Sequence, residues 1–345
     1  GSVAFLFPGQ GSQYPDMVKE LAVIFPEVRE AFERADKALK GLFENDLSSY
    51  VFPVPSFTPE GEKAARKALL KTNIAQSALG AASMGVLSLL RSFGIAPNMA
   101  AGHSYGEYAA LCASGSLDEE SLFRVSEARG RSMIEAAQGQ DLGTMAAVKA
   151  GKKEVEEALG GLDGVVIANI NSPRQTVISG AKDAVAKAVA LMEAKGLQAQ
   201  TLQVSGAFHS PLVAPAKKMF SEFLSGIIFK SPSFAVFSNN SALPHKGSPD
   251  EIREALVEHI VRPVRFVDEI EAMYTSGARV FIEVGAGGVL TGLTRQILEG
   301  REFAASSTDS AGFSLSQFLK SLGMLVVNGV ETDLSRLFKG RAVEA

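Results

Sequence analysis

The sequence predicts an α/β protein built on a parallel sheet, with a smaller antiparallel unit inserted into it. Two observations carry that expectation. Short apolar runs near both ends of the chain stop at glycine-rich turns and pass directly into helical patterns, as buried parallel strands do. Between them, residues 143–204 alternate in the order βαββαβ, the ferredoxin-like order, which fits a compact unit of about 60 residues. A chain of 345 residues, 46% of them hydrophobic, has enough apolar surface for one large domain carrying such an insertion, or for two modest domains.

Residues 3–7 (VAFLF) read as a buried strand ended by Pro8-Gly9. Helical periodicity follows at about 16–39 and 62–94. PNMAAG (97–102) is a second strand candidate that lacks β-branched residues, and a helix begins near Gly106. In the central stretch GTMAAV, GVVIANIN, QTVISG and LQAQTLQV read as strands, and KKEVEEALGG and AKDAVAKAVALMEAKG as helices. Beyond it HSPLVAPAKKMFSEFL is helical, SFAVFSN a strand, 249–276 mostly helical, and ARVFIEVG a strongly apolar strand leading into GAGGVLTGL. The tail 313–338 reads as a terminal helix that packs back. The expected division is a large subdomain made of 1–142 and 205–345, interrupted by a small one at 143–204, with no internal repeat or low-complexity segment.

Several function classes are disfavoured. The net charge is −4 with the basic residues dispersed, so there is no stripe to track a nucleic-acid backbone. The most apolar stretch, 77–90, is shorter than the roughly 20 residues a membrane span needs and reads as a buried helix. The N-terminal residues lack the pattern of a cleavable signal, which makes the cytoplasm the expected compartment. One cysteine, Cys112, rules out an intramolecular disulfide, and the histidines at 103, 209, 245 and 259 have no i, i+4 spacing, so no metal site is expected.

The chemistry concentrates in AGHSYGEYAAL. Gly102-x-Ser104-x-Gly106 at a strand–turn–helix junction is the pattern of a nucleophile elbow, and the backbone N–H of Tyr105 would then face an oxyanion at a helix start. Read alone, the pattern fits equally a tight turn around a buried serine. A serine nucleophile needs a base. His103 is adjacent in sequence and leaves the strand on the opposite side, His245 lies in a Pro/Lys/Gly loop, and His259 in a Glu-rich helical stretch. His209, in a glycine-containing loop between a strand and a helix, is the candidate that remains. FPGQGSQ (7–13) matches neither a dinucleotide fingerprint nor a P-loop; it is either a plain turn or a second oxyanion donor. In RGRSM a buried arginine would suit a carboxylate-bearing substrate, with Arg129 and Arg131 not separable by spacing.

Taken together, FPGQGSQ, AGHSYGEYAAL, RGRSM, NSPRQTVISG, SGAFHSPLV, RPVRF and EVGAGGVLTGL resemble, in order and over nearly the whole chain, the malonyl-CoA:acyl carrier protein transacylase family, including the acyltransferase domains of polyketide and polyunsaturated-fatty-acid-type synthases. The resemblance implies an α/β-hydrolase-like large subdomain with a ferredoxin-like insertion. It implies Ser104 as the acylated residue, His209 as base, the backbone amides of Gln10 and Tyr105 as oxyanion hole, and Arg129 as partner of the malonyl carboxylate. It also implies a main-chain carbonyl near Arg265 that orients the histidine in place of an acid.

Departures from the family pattern mark two positions for acyl selectivity. Tyr105 stands where a smaller aliphatic residue or glutamine is usual, and Phe208, in a Gly-Ala-Phe-His run similar to the malonyl-associated signature, narrows the space for a 2-methyl group. Ala286 replaces a common proline, a change expected to be structural. The tail resembles the end of synthase acyltransferase domains, so an excised domain is expected. The implied activity is malonyl transfer from coenzyme A, through an acyl-serine, to the phosphopantetheine thiol of an acyl carrier protein. No permanently bound cofactor is expected, and the expected partners are malonyl-CoA, an acyl carrier protein and neighbouring synthase domains. The rival readings are transfer of methylmalonyl or another acyl group, a serine hydrolase or thioesterase, and an inactive docking domain.

Overall fold

Nine strands divide between two sheets in the computed structural model, which describes residues 1–136, 143–204 and 206–338. β1 (Ser2–Phe7) and β2 (Met99–Gly102) come first in the chain. β3 (Thr144–Val148), β4 (Val165–Ser172), β5 (Gln175–Gly180) and β6 (Ala199–Thr201) form the small antiparallel sheet in the order β4-β5-β3-β6. That order, with one helix after the first strand and another after the third, is ferredoxin-like. β7 (Ala235–Val236), β8 (Ala278–Glu283) and β9 (Ala304–Ser307) join the first two in a parallel sheet of order β7-β2-β1-β8-β9. The expected boundaries at 142 and 205 fall on residues outside the described ones.

Central strand β1 is apolar on both faces, Val3 to Phe7, because helices cover both sides of the sheet. The helical pattern at 16–39 resolves into α1 (Lys19–Ile24) and α2 (Pro26–Ala38), parted where Pro26 takes the first position of the second helix. α3 (Leu47–Val51) and α4 (Pro59–Leu69) lead to α5 (Thr72–Ser92). α5 is long and apolar enough to cross a membrane, yet it is the central core helix, buried on nearly every side between its neighbours. The same turn of chain that ends β2 begins α6 (Gly106–Ala113), and α7 (Glu119–Glu135) packs along α5.

α8 (Lys152–Leu159) and α9 (Lys182–Ala194) cover one face of the small sheet over a separate apolar cluster that includes Val148, Val155, Ile178, Val185 and Met192. Met145, Ala168 and Val177 instead join the main core, and the Ile170 N–H donates to the Val264 carbonyl while the Val264 N–H donates to that of Ala168. The small sheet is therefore bonded to the rest of the molecule through its β4 edge.

Three elements differ from the pattern reading. β6 holds three residues because the chain turns away from β3 to bring Leu202 and Val204 to the central cavity. β9, AASS, has neither β-branched nor aromatic residues and gave no strand signal; its pairing with β8 creates it. The helical stretch at 249–276 divides into α11 (Pro249–Glu258) and α12 (Phe266–Thr275), which follow α10 (Ala216–Ser225). Pro263 disfavours a helical Arg262, and residues 259–265 become a turn. α13 (Val289–Ile297) and α14 (Ser314–Val327) complete the fold, the latter as the expected tail helix, followed by a short 3-10 turn at Leu334–Phe338.

The β2–α6 junction tolerates no side chain at either flanking glycine. A Cβ on Gly102 would lie 1.9 Å from the Gly106 carbonyl carbon, and one on Gly106 would lie 2.0 Å from the Phe7 oxygen. Both obstacles are backbone, so relief requires moving β1, β2 or α6. Gly102→Ala is therefore expected to cost about 3 kcal/mol, the upper end for overpacking, read as a fall in the urea midpoint at unchanged slope. A loss below about 1 kcal/mol would show that the junction yields.

Candidate active site

Ser104 occupies the turn between β2 and α6 with φ of +50°, a conformation that costs a non-glycine residue energy and persists only when its surroundings enforce it. The strain sits on the serine itself, and the flanking glycines supply close approach. The His103 N–H donates to the Phe7 carbonyl at 3.0 Å, continuing the sheet into the turn, and the Ser104 carbonyl accepts from the Glu107 N–H at 3.1 Å, beginning the helix. Oγ is left pointing out of the strand end, 2.8 Å from His209 Nε2.

His209 also has a positive φ, +56°, in the turn before the short 3-10 helix Pro211–Val213. Its Nδ1 lies 2.9 Å from the Arg262 carbonyl and 3.1 Å from the His259 carbonyl. Two acceptors at Nδ1 place the proton there and leave the Nε2 lone pair for the serine hydroxyl. The orienting carbonyls are thus those of residues 259 and 262 and not of Arg265. The Arg265 carbonyl is occupied by the Glu269 N–H as the first bond of α12, and its side chain pairs with Asp268. Burial, with the Arg129 and His103 charges adding to it, pushes the His209 pKa down to about 3.

The pair opens onto a cavity of about 210 Å3 lined by the small sheet, by helices and by the loops beside Ser104, among them Gln76, Met133, Met145, Asn169, Val204 and Phe208. This is below the roughly 300 Å3 of pockets that enclose drug-sized ligands, so it suits a short acyl group and not a whole coenzyme. Arg129 projects into it from α7, 2% exposed, with Nε and Nη2 lacking a hydrogen-bond partner among the described residues and its guanidinium 5.4 Å from the Tyr108 ring. Arg131, two residues on, points outward to Glu127 and Glu135. A buried cation is costly without a counter-charge; among the described residues no carboxylate pairs with Arg129, and it faces the cavity.

Gln10 lines the cavity beside Ser104, and its side chain is held by Thr72 and Gln76. Among the described residues neither the Gln10 nor the Tyr105 backbone N–H donates to another protein group, as oxyanion donors require. The Tyr105 side chain does not line the cavity, contrary to its expected part in acyl selectivity. Its ring packs against Gly80 and stacks on Tyr108, and its hydroxyl bonds Ser126 at 2.6 Å inside the helical core. Phe208 does line the cavity. Cys112 contributes nothing here; burial drives its thiol pKa upward and keeps it protonated. Among the described residues no group of His, Cys, Asp and Glu is arranged to hold a metal ion.

Pattern reading missed the polar layer behind the elbow: Asn239, Glu107, His245, His259 and Glu269, all buried. Glu107 is the one acid in the otherwise apolar α6, a signal available in sequence, and Asn239 follows a strand at its carboxyl end. Asn171, on β4, was missed too; its Oδ1 is 2.8 Å from His103 Nε2 and ties the small sheet to the elbow.

With this geometry in place the comparisons are decisive. The acyl transferase domain family matches residues 4–318. The chain belongs to the acyl transferase domain family. It is 38% identical over 301 residues to the malonyl CoA-acyl carrier protein transacylase of Bacillus subtilis, covering 86% of this chain and 90% of that protein. It is 32% identical to a polyunsaturated fatty acid synthase of Thraustochytrium, covering 87% of this chain but 11% of the synthase polypeptide, so it spans a small part of such multidomain relatives. Among solved structures, a type II polyketide synthase malonyl-transacylase in complex with its acyl-carrier protein superposes with a TM-score of 0.80 at 33% identity, over 92% of this chain and 99% of that one.

Because His209 is held neutral down to about pH 3, acylation of this acyl transferase should not show a histidine limb in the ordinary range. Pre-steady-state acylation rates between pH 8 and 5 are expected to stay within about twofold. A decline centred near the ordinary histidine value of about 6.5 would show instead that the ring is solvated in the working enzyme.

Proposed function

We propose that the protein transfers a malonyl group from coenzyme A to the phosphopantetheine thiol of an acyl carrier protein through an acyl-Ser104 intermediate. The observation that carries this reading is the buried Arg129 guanidinium, whose Nε and Nη2 have no hydrogen-bond partner among the described residues, in the same short cavity as the Ser104–His209 pair. An acyl group ending in a carboxylate supplies the charge that Arg129 lacks, through two parallel charge-assisted hydrogen bonds. The malonyl CoA-acyl carrier protein transacylase relative supports both donor and acceptor, and the synthase relative supports neighbouring domains as partners.

In the first half-reaction His209 Nε2 takes the proton of Ser104 as Oγ attacks the thioester carbonyl. The Gln10 and Tyr105 amides hold the oxyanion, and the proton then passes to the departing thiolate of coenzyme A. In the second, the carrier's thiol gives its proton to His209 and attacks the acyl-serine, and Ser104 regains the proton when the tetrahedral intermediate collapses. The imidazolium formed in each step donates from Nδ1 to the His259 and Arg262 carbonyls, whose dipoles take the place of a triad carboxylate. Phe208 at the cavity wall favours malonyl over 2-methyl-branched groups.

Intact-mass spectrometry after incubation with malonyl-CoA, without carrier protein, tests the reading. The wild type is expected to gain a malonyl adduct that Ser104→Ala lacks, the variant being slower by at least ~10³-fold. Free malonate without an adduct would point to hydrolysis and overturn transfer. Arg129→Ala is expected to lose roughly 10²-fold in kcat/KM for malonyl-CoA while acetyl-CoA is used no worse. An unchanged malonyl-to-acetyl ratio would remove Arg129 from the carboxylate site.

A further inference from the structure

β7 pairs with β2 through only two residues, Met99 with Ala235 and Ala100 with Val236, and the Phe237 N–H donates the last bond, to the Ala100 carbonyl. In a parallel ladder the next groups of β2 facing that neighbour are two and four residues on, at positions 102 and 104. They meet no peptide of β7. The Asn239 carboxamide meets them: Nδ2 donates to the Gly102 carbonyl at 2.5 Å, and Oδ1 accepts from the Ser104 N–H at 2.7 Å. An amide group has the donor and acceptor of a peptide unit, and here it is bonded as the missing one would be.

We propose that Asn239 is a positioning residue for the nucleophile, its carboxamide standing in for the next peptide of β7 and holding Ser104 in the left-handed turn that aims Oγ at His209. The inference rests on the reading of Ser104 as nucleophile. Asn239 is itself fully buried and held at every polar atom. Its backbone N–H donates to Glu107 Oε2 at 3.0 Å, its carbonyl accepts from the Arg265 N–H at 3.2 Å, and Nδ2 also donates to Glu269 Oε1 at 3.0 Å. Glu107, from the elbow's own helix, accepts in turn from His245 Nε2 at 2.8 Å. The clamp is thus anchored on α6 and α12 at once. Removing it orphans two buried backbone groups on either side of His103, and a strained serine relaxes when its surroundings cease to hold it.

Asn239→Asp distinguishes a clamp from ordinary packing. The groups facing this position are Glu107 from α6, Glu269 with Arg265 and Asp268 from α12, His245 from the loop after β7, His259 from the turn after α11, and His103 and His209 beside the serine. An ionised aspartate there opposes the Gly102 carbonyl and lies beside Glu107, while burial raises the Glu269 pKa and favours its neutral form. Once protonated the aspartate has one O–H for Gly102 and one oxygen for the Ser104 N–H. Its activity should therefore rise as pH falls, whereas the wild type stays level.

The test follows two reactions of the full chain, malonylation by malonyl-CoA and labelling of Ser104 by a small fluorophosphonate, with melting temperature measured alongside. Asn239→Ala is expected to slow both at saturation by roughly 10²-fold with KM for malonyl-CoA within about threefold. Asn239→Asp should be similarly slow at pH 8 and recover at least about tenfold by pH 5.5, by the protonation argument above. Folded Asn239→Ala within about threefold of wild type, or no recovery in Asn239→Asp, overturns the proposal. If Asn239→Ala does not fold, the near-isosteric aspartate variant decides alone. Wild-type labelling without malonylation would overturn the malonyl reading while the labelling ratios still decide on Asn239.

Discussion

A serine held at φ of +50°, between two glycines whose missing side chains let three backbone segments touch, is the constraint on which the site depends. The conformation is unfavourable in isolation, so the rest of the fold must enforce it. β1 receives the turn's N–H at Phe7, α6 starts from its carbonyl, and Asn239, more than 130 residues later in the chain, closes the remaining edge. That long separation makes the elbow a product of the parallel sheet and not of its local sequence. His209 reaches Ser104 from a different segment, the turn before the Pro211–Val213 3-10 helix, where the His259 and Arg262 carbonyls hold its ring, so the pair too is assembled from residues far apart in the chain.

Electrostatically, the cavity is short of negative charge. Two carbonyl dipoles lie behind His209 where a triad would place a carboxylate, and among the described residues no carboxylate pairs with Arg129, which faces the cavity. The two carbonyls favour the imidazolium form of His209, whereas burial and the Arg129 charge keep the free ring neutral. Arg129 also leaves the arrangement incomplete until an anionic group enters, which on the proposed reading is the far end of the acyl group. On that reading the Arg129 charge both selects the substrate and adds to the burial that keeps His209 neutral.

The small antiparallel sheet shapes the chamber. Met145, Asn169, Asn171, Val177, Leu202 and Val204 come from it or its edges and face Ser104 and Phe208 across the cavity. Its attachment is polar as well as apolar: the bond between Asn171 and His103 reaches the residue next to Ser104, and the β4 backbone pairs with Val264 in the turn that presents carbonyls to His209. A shift of this sheet would therefore reach the serine, the histidine and the acyl pocket together.

The amino-acid sequence was sufficient for the α/β class, the βαββαβ order of the central unit, and the prominence of Ser104, because periodicity and glycine placement are local properties. The resemblance of ordered motifs added Arg129 over Arg131 and the family. Short strands escaped: β9 is four small residues whose strand character exists only through pairing with β8. Tyr105 looked like a pocket residue because it departs from the residue usual at that place in the family, yet a helix start turns successive side chains to different sides, and its ring went into the core. The carbonyls that orient His209 were placed a few residues too late, since which backbone groups a turn leaves unpaired depends on where α11 ends and α12 begins. Asn239, His245 and Glu269 stand outside every motif read from the sequence, and Glu107 stands inside one without its role being visible. Their partners are backbone atoms and buried side chains distant in sequence, and only tertiary structure decides such contacts.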